Sequence, residues 1–249
     1  MAMKRFTYFI LTGVIALSFI SCEPDNNQPE EEDITKWTEG FEFGAVDLGL
    51  SVKWANANLG ARYPGEYGDY YSWGAIEPMP TTYKYTGNPN FLPAEQDAAT
   101  IKLGAAWRMP TTAEIQELTA TLANSNYKWT WITDKDAYGN IGCEITYIPT
   151  GARIFFPASG NMTNLLSSFD SECEVWGMTI DPGNPNFIQE SSDRAGALNI
   201  YLTANEETGK VDKLTAGSAS VERYVGLPIR PVYSSVRPDP DEEIIVVAN

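Results

Sequence analysis

The chain has 249 residues, 43% of them hydrophobic, with seven Trp, thirteen Tyr and ten Phe, enough for one large packed domain. Its formal net charge of −16 and the lack of any basic run exclude nucleic acid as a partner. It contains no histidine, which removes Ser-His-Asp and Cys-His catalysis and His-ligated metal sites in one step.

At the N-terminus, Lys4 and Arg5 precede an almost wholly apolar run from Phe6 to Ile20 that ends at Ser21-Cys22. A charged start, a short apolar run and a small residue before the cut predict a secretory signal over residues 1–21. Residues 22–43 are polar, acidic and proline-bearing at their start, and are expected to form an extended tether. Val46 to Ala55 reads as two short β runs joined at Gly49-Leu50-Ser51. The block Glu66-Tyr67-Gly68-Asp69-Tyr70-Tyr71-Ser72-Trp73-Gly74 concentrates four aromatics in nine residues, for packing or for stacking on a sugar. Residues 75–93 lack periodicity and read as a long loop, and a short helix is expected over 94–103.

Pro110 cannot sit inside a helix, but Thr111 and Glu114 have the spacing of a capping box, so a helix should run from Thr112 to about Ala123. Ile115, Leu118 and Leu122 give it one apolar face. Strands follow from the alternation of Tyr127, Trp129 and Trp131, and of Ile141, Cys143, Ile145 and Tyr147, with a turn over 134–140 between them and a third run over 154–160. Further strands are expected over 174–179, 197–203 and 226–232, separated by long loops at 161–173 and 181–194. The tail, 234–249, carries prolines and acids and then the apolar run Ile244-Ile245-Val246-Val247-Ala248, suited to adding as a strand to an exposed edge.

Five segments carry a resemblance. Val46-Asp47-Leu48-Gly49-Leu50-Ser51-Val52-Lys53-Trp54-Ala55, Tyr67 to Gly74, Trp107-Arg108-Met109-Pro110-Thr111-Thr112-Ala113-Glu114, Ile154 to Gly160 and Gly226 to Val232 occur in the order and form seen in the Fibrobacter succinogenes major paralogous domain family. These are surface lipoproteins related to C-type-lectin-like and formylglycine-generating-enzyme folds. The resemblance spans about residues 44–233. It implies one α+β, C-type-lectin-like domain with an antiparallel sheet meander, two helices (one short, one longer and capped) and long loops. The fold also implies that first and last strands lie near each other.

Phe19-Ile20-Ser21-Cys22 resembles a lipobox, which implies acylation of Cys22 and a lipid anchor in the outer membrane, with the acids after it resembling a signal for surface display. Membrane contact would then be through the anchor only. The implied function is adhesin-like: non-catalytic binding of an extracellular protein or glycan. Candidate ligand-binding residues are Trp176, Asp181, Asn184, Asn186, Asp193 and Arg194. Alternatives are a polysaccharide-active enzyme using an acid pair such as Glu172 and Glu174 or Glu206 and Glu207, and a structural subunit of a surface fibre. No catalytic residue, metal site or cofactor is assigned. Asp181, Asn184 and Asn186 could present oxygen to a hard cation or simply shape a turn. Cys143 and Cys173 are either bridged, as two thiols in an exported chain invite, or buried and reduced.

Overall fold

A computed structural model of the chain describes residues 34–80, 91–163, 166–179, 194–205 and 207–238. In chain order the elements are α1 (Thr35–Thr38), β1 (Ala45–Val46), β2 (Lys53–Ala55), β3 (Tyr70–Tyr71), α2 (Ala98–Leu103), β4 (Trp107–Arg108), α3 (Thr112–Ala120), β5 (Tyr127–Ile132) and α4 (Lys135–Tyr138). Then come β6 (Gly142–Tyr147), β7 (Ala152–Pro157), β8 (Asn161–Met162), β9 (Leu166–Ser167), β10 (Glu172–Trp176), β11 (Arg194–Ala204), β12 (Val211–Glu222), β13 (Leu227–Pro228) and β14 (Val232–Tyr233). This is an α+β arrangement of antiparallel sheets with few, short helices. None of these helices is long and apolar enough to cross a membrane.

The helix α3 forms where the local chemistry dictates. The Thr111 hydroxyl accepts from Glu114 N, and the Glu114 carboxylate accepts from Thr111 N, so two orphan donors of the first turn are satisfied reciprocally. Arg108 grips the same carboxylate with both terminal nitrogens, at 2.8 and 2.6 Å, tying β4 to the start of α3. Ile115 and Leu118 face the core, and the last turn tightens to a 3-10 helix over Thr121–Ala123.

In place of one continuous meander, the described residues form five small sheets. β5-β6-β7 is the expected meander, with Trp131 opposite Cys143 and Cys143 opposite Phe156. A second sheet has the order β1-β2-β14-β4, so the first strands do pair with the last. The expected strand over 226–232 is broken in two: β13 pairs with β3 while β14 joins β2 and β4, because Pro228 and Pro231 interrupt a continuous ladder. The third large sheet, β10-β11-β12, contains a twelve-residue strand that the sequence reading left as connection.

Two apolar clusters lie on opposite faces of β10 and β11. Trp176, Ala195 and Ala197 face Trp73, Tyr71, Leu92, Met109 and Leu227, while Cys173, Val175, Leu198 and Ile200 face Trp54, Ile115, Leu118, Ile145 and Phe156. Both clusters draw on residues from early and late in the chain, so they are two sides of one body and not two domains. Tyr70, Tyr71 and Trp73 are all buried, which places that aromatic block in the core. Gly68, with φ +74°, lets the chain pass so close to Leu59 that an added Cβ would sit 2.5 Å from its carbonyl oxygen.

The body is larger at both ends than the sequence suggested. The tether was expected to reach residue 43, yet Trp37 stacks on Tyr63 at 5.5 Å, Lys36 pairs with Asp136 at 2.8 Å and Phe43 packs on Trp107 at 5.2 Å. Aromatic side chains at 37 and 43 find partners and hold this stretch down. At the other end, Arg237 donates to Asp97 Oδ2, Thr100 Oγ1 and Leu92 O, fixing the start of the tail to α2.

Candidate binding face

Along β10, Glu172, Glu174 and Trp176 point to one side of the sheet. Opposite them on β11 stand Tyr201, Asn199 and Ala197, and on β12 Thr215, Gly217 and Ala219. The Trp176 end of this face is core. Trp176 is fully buried, and its Nε1 donates to Tyr71 O at 2.7 Å. The sequence reading offered it as a ligand contact. That is corrected: its indole fills the cluster between β3 and β11, and its polar atom is already satisfied.

The middle of the face is polar and short of hydrogen-bond donors. Glu174 is only 5% exposed, and its Oε2 accepts from Asn161 Nδ2 at 2.7 Å. Directly across the ladder, Asn199 Oδ1 is buried without a partner. The next position, Gly217, carries no side chain, and an added Cβ there would meet no atom within 4 Å. Two acceptors therefore stand beside a gap in the side-chain layer. Buried acceptors without donors are costly, so a site of this kind gains from a ligand rich in O–H or N–H groups.

Burial pushes the Glu174 carboxyl above the usual range; the Asn161 amide pulls it down and nearby Glu172 raises it. A folded pKa above the unfolded value means the folded state holds the proton longer. Glu174's stabilising contribution is then complete below its unfolded pKa of 4.5 and is lost as pH rises through the folded value. Glu174→Gln keeps an acceptor for Asn161 and removes the titration. Urea midpoints measured from about pH 4 to about pH 7 should therefore shift in favour of the variant as pH rises. A gap between the two proteins that stays constant with pH would contradict this assignment.

Arg194, the other described candidate, lies at the start of β11 and is taken up within the sheet. Its guanidinium donates to Ser220 Oγ at 2.9 Å and Ser220 O at 2.5 Å and pairs with Glu222, holding β11 to β12. It is corrected from ligand contact to strand clamp, because three of its five N–H donors are engaged by acceptors on β12. Asp181, Asn184, Asn186 and Asp193, with Cys22 and Glu206, lie outside the described residues. Among the described residues no group of three or more His, Cys, Asp or Glu side chains could hold a metal.

The bridge weighed from the sequence is not formed. Cys143 and Cys173 are free, both buried in the cluster beneath α3, and the Cys173 thiol donates to Phe156 O at 3.2 Å. Burial raises both thiols well above their ordinary range, so neither is a reactive thiolate.

Sequence reasoning missed Asn161, Asn199 and Gly217. The only available signal was alternation across β10 and β11, which puts Glu174 and Asn199 on one face once the register is known. Compared with protein-family models, with curated proteins and with solved structures, the chain matches none.

Proposed function

We propose that this chain is a cell-surface lipoprotein of the Fibrobacter succinogenes major paralogous domain type, anchored in the outer membrane through acylated Cys22. Its single C-type-lectin-like domain binds an extracellular glycan or protein without catalysis. Support for the address comes from the sequence signals, and support for binding from one observation: the unpartnered Asn199 carbonyl beside the buried Glu174 carboxyl, with open space over Gly217. A ligand bearing several hydroxyl or amide donors fits two adjacent acceptors, and the acidic surface disfavours anionic ones.

The experiment is a glycan array and a pull-down from host extracts, run with the wild-type chain and with Gly217→Val. Valine suits a strand and has room here, so the variant should fold normally. Wild type should retain a neutral glycan or a protein partner, and the variant should lose at least about tenfold in affinity, roughly 1.4 kcal/mol. Capture of nothing by the wild type would overturn the binding reading. Equal capture by both would move the site elsewhere on the molecule.

A second reading, an enzyme acting on polysaccharide, draws on Glu172 and Glu174, which stand two residues apart on one strand face, about 7 Å along it. Burial holds Glu174 toward the protonated form that a general acid needs. Release of reducing ends from surface polysaccharide, abolished in Glu174→Gln, would favour it. Its absence leaves the binding reading alone.

A further inference from the structure

β12 lies at one edge of its sheet, and among the described residues its backbone ladder is with β11 only. Long open edges are usually blunted by charge, proline or a bulge. Here the charges sit at the ends, Asp212 and Lys213 with the adjacent Lys210 at one and Glu222 at the other. The eight residues from Leu214 to Val221 carry neither charge nor proline, and the only irregularity in pairing with β11 falls at Thr203/Ala204, outside that stretch. Among the described residues, apart from Ser220 O, which accepts from Arg194, no outward backbone hydrogen bond is made along this run.

The same chain carries a segment of complementary character. Ile244 to Ala248 is uncharged, proline-free and mostly β-branched, and it follows Asp239, Asp241, Glu242 and Glu243. Laid along Leu214–Ala219 with those acids beside Lys210 and Lys213, it would pair backbone to backbone and charge to charge.

The position of the tail's attachment decides which molecule supplies it. Arg237 is pinned to Leu92 O and Asp97, Leu92 N donates to Met178 O, and the neighbouring Gly177 donates to Gly196 O, opposite Ser220. The tail therefore leaves the body at the end of the sheet where Ser220 lies, but on the β10 side, across β11 from β12. Lys213 and Lys210 lie seven and ten residues further along that strand, about 23 and 33 Å at strand spacing. Glu243 is six residues past Arg237, about 20 to 22 Å of fully extended chain, so none of a molecule's own acids reaches Lys210 and only Glu243 comes near Lys213, whereas the tail of a second copy can set its acids beside both.

We propose that β12 of one molecule receives Ile244–Ala248 of a second copy as an added strand, so that the chain self-associates through this edge. The inference does not rest on the ligand reading above: it is argued from the backbone edge and end charges of β12, although Gly217 belongs to that strand as well as to the Glu174 face.

Sedimentation of the full chain in detergent, across a concentration series, tests it against three variants: a chain ending at Pro238, Val246→Pro and Ser218→Lys. The full chain should at least double in mass with concentration. The other three should stay monomeric, and ending at Pro238 keeps the Arg237 contacts that hold the fold. A synthetic peptide of residues 239–249 added to the chain ending at Pro238 should slow amide exchange over 211–222 by at least about tenfold, less so in high salt. The proposal is overturned if the full chain is monomeric throughout, if association survives loss of the tail, or if the peptide leaves 211–222 unprotected. A monomeric full chain whose β12 amides become exposed only when the tail is removed would mean docking within one molecule, and also overturns it.

Discussion

Arg230→Ala should cost roughly 4 kcal/mol or more of folding stability, one of the two largest single-residue effects expected in this protein. Arg230 is fully buried. Its Nε donates to Asn58 Oδ1 at 2.8 Å, its terminal nitrogens to Ala55 O at 3.1 Å and Phe155 O at 2.7 Å, and its guanidinium lies 4.4 Å over the Phe156 ring. None of these partners is a carboxylate. Burial pulls its pKa down to about 9, so it is still a cation at neutral pH, held by acceptor dipoles and an aromatic face.

Desolvating a lone cation is expensive, and replacing buried charge with apolar side chains is neutral or stabilising in some proteins. The geometry argues otherwise. Alanine would strand three buried acceptors, each worth about 1 kcal/mol or more, and would open a cavity between β2 and β7. Arg230→Met fills much of the volume yet satisfies none of the acceptors, so it should recover less than half of the loss. Arg230→Lys keeps the charge but cannot reach three acceptors from one planar fork, and should also be destabilised. Urea unfolding followed by fluorescence of the buried Trp54, Trp73 and Trp176 measures all three. A methionine variant as stable as wild type would show that desolvation cancels the hydrogen bonds.

Asp97→Ala should come next, at about 3 kcal/mol. The Asp97 side chain is wholly buried, and it joins three segments: Oδ1 accepts from Ala99 N and Thr100 N as the N-cap of α2, while Oδ2 accepts from Met109 N and Arg237 Nη1. An N-cap alone is worth about 1 kcal/mol, and the two further donors left without a partner supply the rest. Asp97→Asn should lose less, since its carbonyl still caps α2, but its NH2 group cannot accept from Met109 and Arg237. Arg237→Ala should cost well under half as much as Asp97→Ala, because that side chain is 23% exposed and its loss leaves the cap intact. The double variant should then be barely worse than Asp97→Ala, a coupling that thermal unfolding of the four proteins would resolve.

What could be read from the sequence was whatever local chemistry decides. The α3 start was legible because Thr111 and Glu114 satisfy each other within one turn, and the β5-β6-β7 meander because its strands alternate and follow one another directly. β12 was not legible: Val211-Asp212-Lys213-Leu214-Thr215-Ala216-Gly217-Ser218 has small and polar residues where strand formers are expected, and pairing with β11 is what makes it a strand. The binding face shared that fate. Glu174 was visible as an acid among many, but Asn199 and Gly217 become its neighbours only through a register that no local pattern specifies. Trp176 and Arg194 went wrong for the complementary reason, since a side chain beside a long loop reads as available until its partners 105 and 26 residues away are known.

Because β2 lies between β1 and β14, the first and last strands of the folded body are tied into a single small sheet. A unit closed in this way can be strung into a longer thread. Tension along such a thread would first load the contacts of Lys36, Trp37 and Phe43 at one end and the Arg237 clamp at the other, and would reach the cluster that holds Trp54 and Val232 only when that little sheet opens.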